Sequence, residues 1–164
     1  MNIFVLARCP RASAHYMCDL HVPKMVVESC QMMASALRRH GATDDDMPLT
    51  QAGKPYKGGY ADHPCTVWAG RSRANFEWLS DHCRSLLSEF SFRFHKSHFC
   101  ETPWQRMADM YDRIPERYGL TPFAQAMPDQ YQHHNVVTAY RRYYRAEKTF
   151  ARWDRGRRAP RWWR

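Results

Sequence analysis

A chain of 164 residues, 44% hydrophobic and 14% aromatic, can bury one respectable core, so a single domain is expected. No apolar run approaches the roughly twenty residues of a membrane span, and Met1 to Leu6 is too short and lacks the basic flank of a signal peptide; a soluble, cytoplasmic protein with no membrane partner is expected. The formal net charge of +9 is lopsided: Arg141 to Arg164 holds ten Lys or Arg against Glu147 and Asp154, an excess of +8 that leaves +1 for the first 140 residues and turns the C-terminus toward a polyanion.

In chain order, Met1 to Leu6 alternates weakly, as a short edge strand or an extended lead-in, before Arg8-Cys9-Pro10 breaks it. Ala12 to Cys18 reads as a short helix, with Asp19 available to cap the next one. From Asp19 to Leu37 the pattern is a long helix: Pro23 suits its first turn, Arg38, Arg39 and His40 its cation-attracting end, and Gly41 a left-handed cap. At about 100° per residue Lys24, Glu28, Gln31 and Ser35 fall on one line, with His21 just before it, and the other sides are apolar or small. Such a line is either a solvated side or the floor of a cleft, and its narrowness and lack of redundant charge weigh against the solvated reading.

Ala42 to Asp62 is a loop of about twenty residues, a length that inside a compact domain marks function or mobility. Asp62-His63-Pro64 opens a second long helix with a kink at Gly70 and an apolar side that includes Val67, Trp68, Phe76, Leu79, Cys83 and Leu86. A second polar line runs Arg71, Asn75, Trp78, His82, then Glu89 and Arg93; it is a solvated face, or Arg71 and Asn75 face the first line across the cleft. His95, His98 and Cys100 lack a fourth ligand at zinc spacing, so no metal is expected, and His98 is either a polar group near the cleft or a plain surface histidine. Six cysteines without a CxxC pair read as reduced packing thiols.

Glu101 to Gln132 reads as irregular chain wrapping the helices, and Asn135 to about Trp153 as the third long helix. The expected fold is mainly α: a single compact domain of about three long helices with long irregular connections over residues 1–154, followed by a basic aromatic tail over 155–164.

Arginines interleaved with Tyr and Trp hold phosphates and stack on bases, which makes Arg141, Arg142, Tyr144, Arg145, Arg152, Arg158 and Trp162 the expected nucleic-acid contacts. The competing reading makes Tyr140, Tyr143 and Tyr144 core and the tail a solubilising end. The pattern does not separate DNA from RNA. In the cleft, Glu28, Lys24 and His21 are the expected catalytic groups, with Gln31, His63, Trp68, Arg71, Asn75 and His98 as substrate contacts. There is no Walker loop, GxSxG, HExxH or deaminase signature. Base excision is then the reaction on nucleic acid that a carboxylate and a cation run without metal or cofactor, because its oxocarbenium-like state is stabilised by a carboxylate such as Glu28; the same pair also fits a metal-free lyase. A non-catalytic binding module and a base-modifying transferase are the alternatives.

The run Asp19-x-His21-Val22-x-Lys24-Met25-x-x-Glu28-x-x-Gln31, then His63-Pro64-Cys65-x-x-Trp68, Asn75-Phe76-x-Trp78-Leu79, Glu89-Phe90, Arg93, His95, His98, Phe123 to Asp129 and Ala139-Tyr140-Arg141-x-Tyr143-Tyr144 resembles a group of small phage-encoded proteins along nearly the whole chain. More distantly, the layout is similar to pyrimidine-dimer DNA glycosylases of the phage endonuclease V type. That similarity implies a monomeric helical enzyme that flips a nucleotide out of double-stranded DNA and cleaves its glycosidic bond, with Glu28 as acid/base carboxylate and His21, Lys24 and Arg71 binding substrate or phosphate. It also implies a phage-infected bacterial cytoplasm, where a hypermodified pyrimidine is as natural a target as a photodimer. The family's lyase step uses an N-terminal amine exposed by Met removal. The bulky Asn2 predicts that Met1 is kept, so that step would fall to Lys24 or the Met1 amine, and a water nucleophile without a lyase step is equally open.

Overall fold

The computed structural model describes residues 2–164, and among them six α-helices and no strand. They are α1 (Pro10–Tyr16), α2 (His21–Arg39), α3 (Pro64–Ala69), α4 (Arg73–Phe94), α5 (Glu101–Ala108) and α6 (Val136–Glu147), with short 3-10 turns at Tyr111–Arg113, Asp129–Tyr131 and Arg161–Trp163. The mainly helical, single-domain expectation holds, and three of the helices are long.

The organising element is α2, which packs on α3, α4 and α5. Twelve of its residues are buried, among them Val22, Met25, Val26, Cys30, Met32, Met33 and Leu37. It stops where Gly41 adopts φ +88°: the Gly41 amide donates to Arg38 O and the Ala42 amide to Leu37 O, a paired closure that a left-handed residue permits.

The second long helix is two. α3 starts at Pro64, with the His63 side chain accepting from the Cys65 amide, and ends at Gly70; Ser72 then caps α4 by accepting from the Asn75 amide. A Cβ at Gly70 would sit 3.3 Å from that of Ala36, so the break also lets the chain lie close against α2. α6 ends at Glu147, short of the expected Trp153, because tertiary bonds take over: the Asp19 amide donates to Arg152 O and the Asp19 carboxylate accepts from the Asp154 amide.

Residues 2–6 form no strand. They pass through the core with a turn at Phe4, which has φ +51° and whose carbonyl accepts from the Leu6 amide; Val5 and Leu6 are wholly buried and Phe4 packs against His21, Tyr140, Tyr143 and Tyr144. Ser13 replaces a neighbouring strand, accepting from the Leu6 amide and donating to Phe4 O. All six cysteines are free and five are buried. Among the described residues, no helix is long and apolar enough to cross a membrane.

Candidate active site

The polar line of α2 is closed at one end and open in the middle. At its C-terminal end Ser35 Oγ donates to Gly59 O and accepts from the Gly59 amide, Arg38 Nε donates to Tyr56 O, and Arg39 donates to Ala61 O, so the long loop is laced onto the helix. Gly58 is required there: it has φ +83°, and a Cβ would lie 2.2 Å from Ser35 Oγ. Further toward the helix start, the Asn2 amide donates to Glu28 Oε2 at 3.0 Å, and Lys24 Nζ stands 3.8 Å from Glu28 Oε1. Between these attachments lies an open cleft of about 370 Å³ lined by Lys24, Val27, Glu28, Gln31 and Tyr60. The Glu28 side chain is 12% exposed and that of Lys24 61%, so the carboxylate forms the floor and the amine the rim.

Not every expected residue reaches this cleft. His21 is buried, stacked on Phe4 with its ring centroid at 5.0 Å and edged by Tyr144 and Phe150. Its Nδ1 lies 2.7 Å from the Tyr144 hydroxyl, which also accepts from the Cys18 amide, so the hydroxyl can donate to Nδ1 while it receives the amide proton. Burial, then the charges of Lys148 and Lys24, lower its pKa to about 4, so it is neutral at physiological pH and lies outside the cleft lining. Tyr144, expected on the nucleic-acid surface, is wholly buried beside it, as is Tyr140, whose hydroxyl donates to Ala124 O. The core reading is right for these two tyrosines.

Apart from Arg71, the second polar line faces neither solvent nor cleft; it ties the rest of the chain to α4. Asn75 donates to Trp68 O and Thr121 Oγ1 and accepts from the Thr121 amide, while Trp68 donates its indole proton to Thr121 O. Trp78 donates to Arg8 O and His82 Nδ1 to Pro10 O. Arg93, wholly buried, donates to Glu89, Asp19, His15 O and Met17 O. A polar residue on a helix whose neighbour has unpaired carbonyls is recruited to them, which explains why Asn75 and Trp68 are buried ties. Arg71 is exposed. His98 is also internal, accepting from the Cys100 amide and edging the Phe90 ring. His63, the α3 cap, has its pKa lowered by burial against an opposing pull from Glu28, which sets it in the electrostatic reach of that carboxylate. Met1 lies outside the described residues. No group of three or more His, Cys, Asp or Glu among the described residues is arranged to hold a metal ion.

Two participants were not foreseen. Asn2 lies in a weakly patterned run, and its role is carried by its backbone amide, which no side-chain pattern announces. Tyr60 had a signal: an aromatic directly after Gly58-Gly59 in a polar loop with no apolar run to bury it.

Compared with protein families, residues 1–102 match the model of the pyrimidine dimer DNA glycosylases. The chain belongs to this family. A comparison with curated proteins found no match, and a comparison with solved structures found none either. The family match takes in α1 to α4, and therefore Glu28 and its cleft, and makes DNA the substrate and glycosylase chemistry the reaction class.

In this glycosylase the basic C-terminus lies beyond the family match and is packed down, not trailing. Trp162 and Trp163 edge Tyr144, Arg145 donates to Trp162 O, and Arg157 pairs with Glu89 at 2.7 Å. Arg141 donates Nε–H to Leu6 O with its guanidinium over the rings of Tyr16 and Trp162. Arg141, Arg157 and Trp162 wall an open groove of about 1130 Å³ with Arg158, Arg161 and Arg164, and no Asp or Glu lines it among the described residues. Arg142 and Arg152 are exposed, and Arg152 is bonded to the carbonyls of Thr149 and Ala151.

Proposed function

We propose that this protein excises a damaged or modified pyrimidine from double-stranded DNA, receiving the flipped nucleotide in the α2 cleft and cleaving its glycosidic bond at Glu28. The observation that carries this reading is the fixed carboxylate: Glu28 is nearly buried at the cleft floor, held by the Asn2 amide and faced by Lys24. As the C1′–N bond breaks, its electron pair leaves with the base, which takes up a proton, and positive charge builds on the sugar. An anion already in place at that point lowers the barrier without reorganising. Water or an amine then adds to C1′. Lys24 is the amine that the described residues bring to this carboxylate, and the arginine groove of the C-terminus supplies the phosphate grip.

The test uses duplexes carrying a pyrimidine dimer, a modified pyrimidine or no lesion, followed by alkali and a search for released base. Wild type makes an alkali-labile abasic site in one of the first two, releasing the base from a modified pyrimidine and leaving a dimer's base joined to its neighbour through the cyclobutane ring. Glu28→Gln loses several orders of magnitude in turnover and still binds the duplex. Unchanged turnover in Glu28→Gln removes the carboxylate from the chemistry, and a product heavier than the starting base signals group transfer. Borohydride added to the same reaction traps a protein–DNA adduct only where an amine attacks the sugar.

A further inference from the structure

His63 has one ring nitrogen fixed and the other unused. Its Nδ1 accepts from the Cys65 amide at 3.2 Å, and a nitrogen that accepts carries no proton, so the neutral ring bears its proton on Nε2. Burial lowers the pKa of the ring, which is therefore neutral at physiological pH. The backbone is equally fixed: Pro64 confines the residue before it to the extended region, here φ −63° and ψ 137°. No described residue accepts from Nε2–H.

Two sets of contacts place this ring at the edge of the Glu28 cleft. The His63 amide donates at 3.0 Å to the carbonyl of Tyr60, a residue of the cleft wall. Two residues on, Cys65 donates its thiol proton to Asn2 Oδ1 at 3.7 Å, and the Asn2 amide donates to Glu28 Oε2 at 3.0 Å. The charge of Glu28 reaches the ring and opposes the effect of burial. His63 is not itself a lining residue, so it meets what projects past the carboxylate and not what fills the cleft.

We infer that His63 is the hydrogen-bond donor to the leaving pyrimidine: with the sugar at Glu28, Nε2–H meets the O2 carbonyl as the C1′–N1 bond breaks. This rests on the base-excision reading above and adds the group that answers the negative charge. Glu28 faces the cation that forms on the sugar, while the electron pair of the broken bond spreads from N1 onto O2, where a donor already in place stabilises it. His63 keeps its proton throughout, and water supplies the one that the base finally takes up. A neutral imidazole suits the step, because an imidazolium would pair with Glu28 and offset the charge that the sugar needs. O2 lies on the minor-groove edge of a pyrimidine, next to C1′, so one donor reaches it whether the base stays stacked or is turned out.

The experiment compares wild type, His63→Ser, His63→Ala and Glu28→Gln on a lesion duplex and on two baseless duplexes, one with a tetrahydrofuran abasic analogue and one with a cationic pyrrolidine that copies the charged sugar. His63→Ser keeps an oxygen to cap α3 and melts with wild type, whereas His63→Ala loses the cap and melts lower. Both make abasic sites about a hundredfold more slowly in single turnover. Both also bind either baseless duplex with wild-type affinity, because the base is what His63 touches. Glu28→Gln, in contrast, loses the extra affinity that the pyrrolidine brings. A wild-type rate in His63→Ser overturns the assignment, and so does a loss of pyrrolidine affinity in that variant, which would make His63 a support for Glu28; base excision stands in either case. Wild type making no alkali-labile site in any lesion duplex overturns both.

Discussion

The backbone amide of Asn2 donates to Glu28 Oε2 at 3.0 Å, joining the start of the chain to the second turn of α2. The Asn2 side chain holds that segment in place, its amide donating to Ala126 O at 2.7 Å and its oxygen accepting from the Ile3 amide. Asn2→Asp keeps the shape but sets a carboxylate oxygen against the Ala126 carbonyl in a site only 7% exposed. The expected loss is about 2–3 kcal/mol of stability, read as a lower urea midpoint, together with slower base release as Glu28 loses its anchor. An unchanged midpoint would show that the N-terminal segment is not a structural partner of the carboxylate.

Acid should loosen the fold before it protonates most carboxylates. His21 and His82 are both buried with pKa lowered from 6.5 to about 4: His21 by burial and then by Lys148 and Lys24, His82 by burial that its bond to Pro10 O only partly offsets. Between those values the unfolded chain binds protons that the folded one refuses, so stability is full above pH 6.5 and falls as the pH drops toward 4, by up to about 3 kcal/mol for each ring. His82→Asn retains a donor for Pro10 O, removes one titration and should flatten that slope in denaturation curves taken across pH 7 to 4. An identical slope in the variant would assign the acid sensitivity elsewhere.

Much of α2 and its cleft was legible because local chemistry fixed them: Pro23 in the first turn, Gly41 in the left-handed cap, and one polar line on an otherwise apolar helix. The second polar line was legible as a line and not as a destination. Helical spacing puts Asn75, Trp78, His82 and Arg93 on α4, but their partners are carbonyls and carboxylates up to 78 residues away, and no spacing names a distant carbonyl. Likewise Tyr140 and Tyr144 differ from a nucleic-acid face only in what covers them: Phe4, from a run too short to declare itself core, lies against both, and Trp162 and Trp163 close over Tyr144. The stop of α6 at Glu147 depends on Asp19 capturing residues 152–154, again a tertiary choice.

Arg93 illustrates how strongly such a tie is drawn. All five of its N–H groups are used, on Glu89, Asp19 and the carbonyls of His15 and Met17, and its side chain is 0% exposed. Burial alone would raise the pKa of Glu89, but hydrogen bonds from Arg157 and Arg93 outweigh it and hold the carboxyl below its usual range. Arg93→Met takes the cation from Asp19 and leaves Glu89 to Arg157 alone, and is expected to cost about 3–5 kcal/mol, with Arg93→Lys also strongly destabilising because three donors cannot replace a five-donor fork. Arg157→Ala, at a position 25% exposed, should cost much less. Thermal melting of the three variants ranks them, and a mild Arg93→Met would break this account of how α1 and the C-terminal segment are clasped to α4.

The C-terminal groove makes its own prediction about salt. Arg158, Arg161 and Arg164 border it beside Arg141, and of the arginines that line it Arg157 is the one paired with Glu89. Deleting the tail is a poor test, because Trp162 and Trp163 pack on Tyr144 and their loss would unsettle the core. Changing the three arginines to Ala leaves that packing intact. If each contacts one phosphate, the slope of log affinity against log salt should become shallower by about 0.9 per contact, close to 3 in all, while the rate of base release at saturating protein stays at the wild-type value. A slope equal to wild type would move the phosphate grip to another basic surface, with Lys24 and Lys148, whose charges both reach His21, the first residues to change.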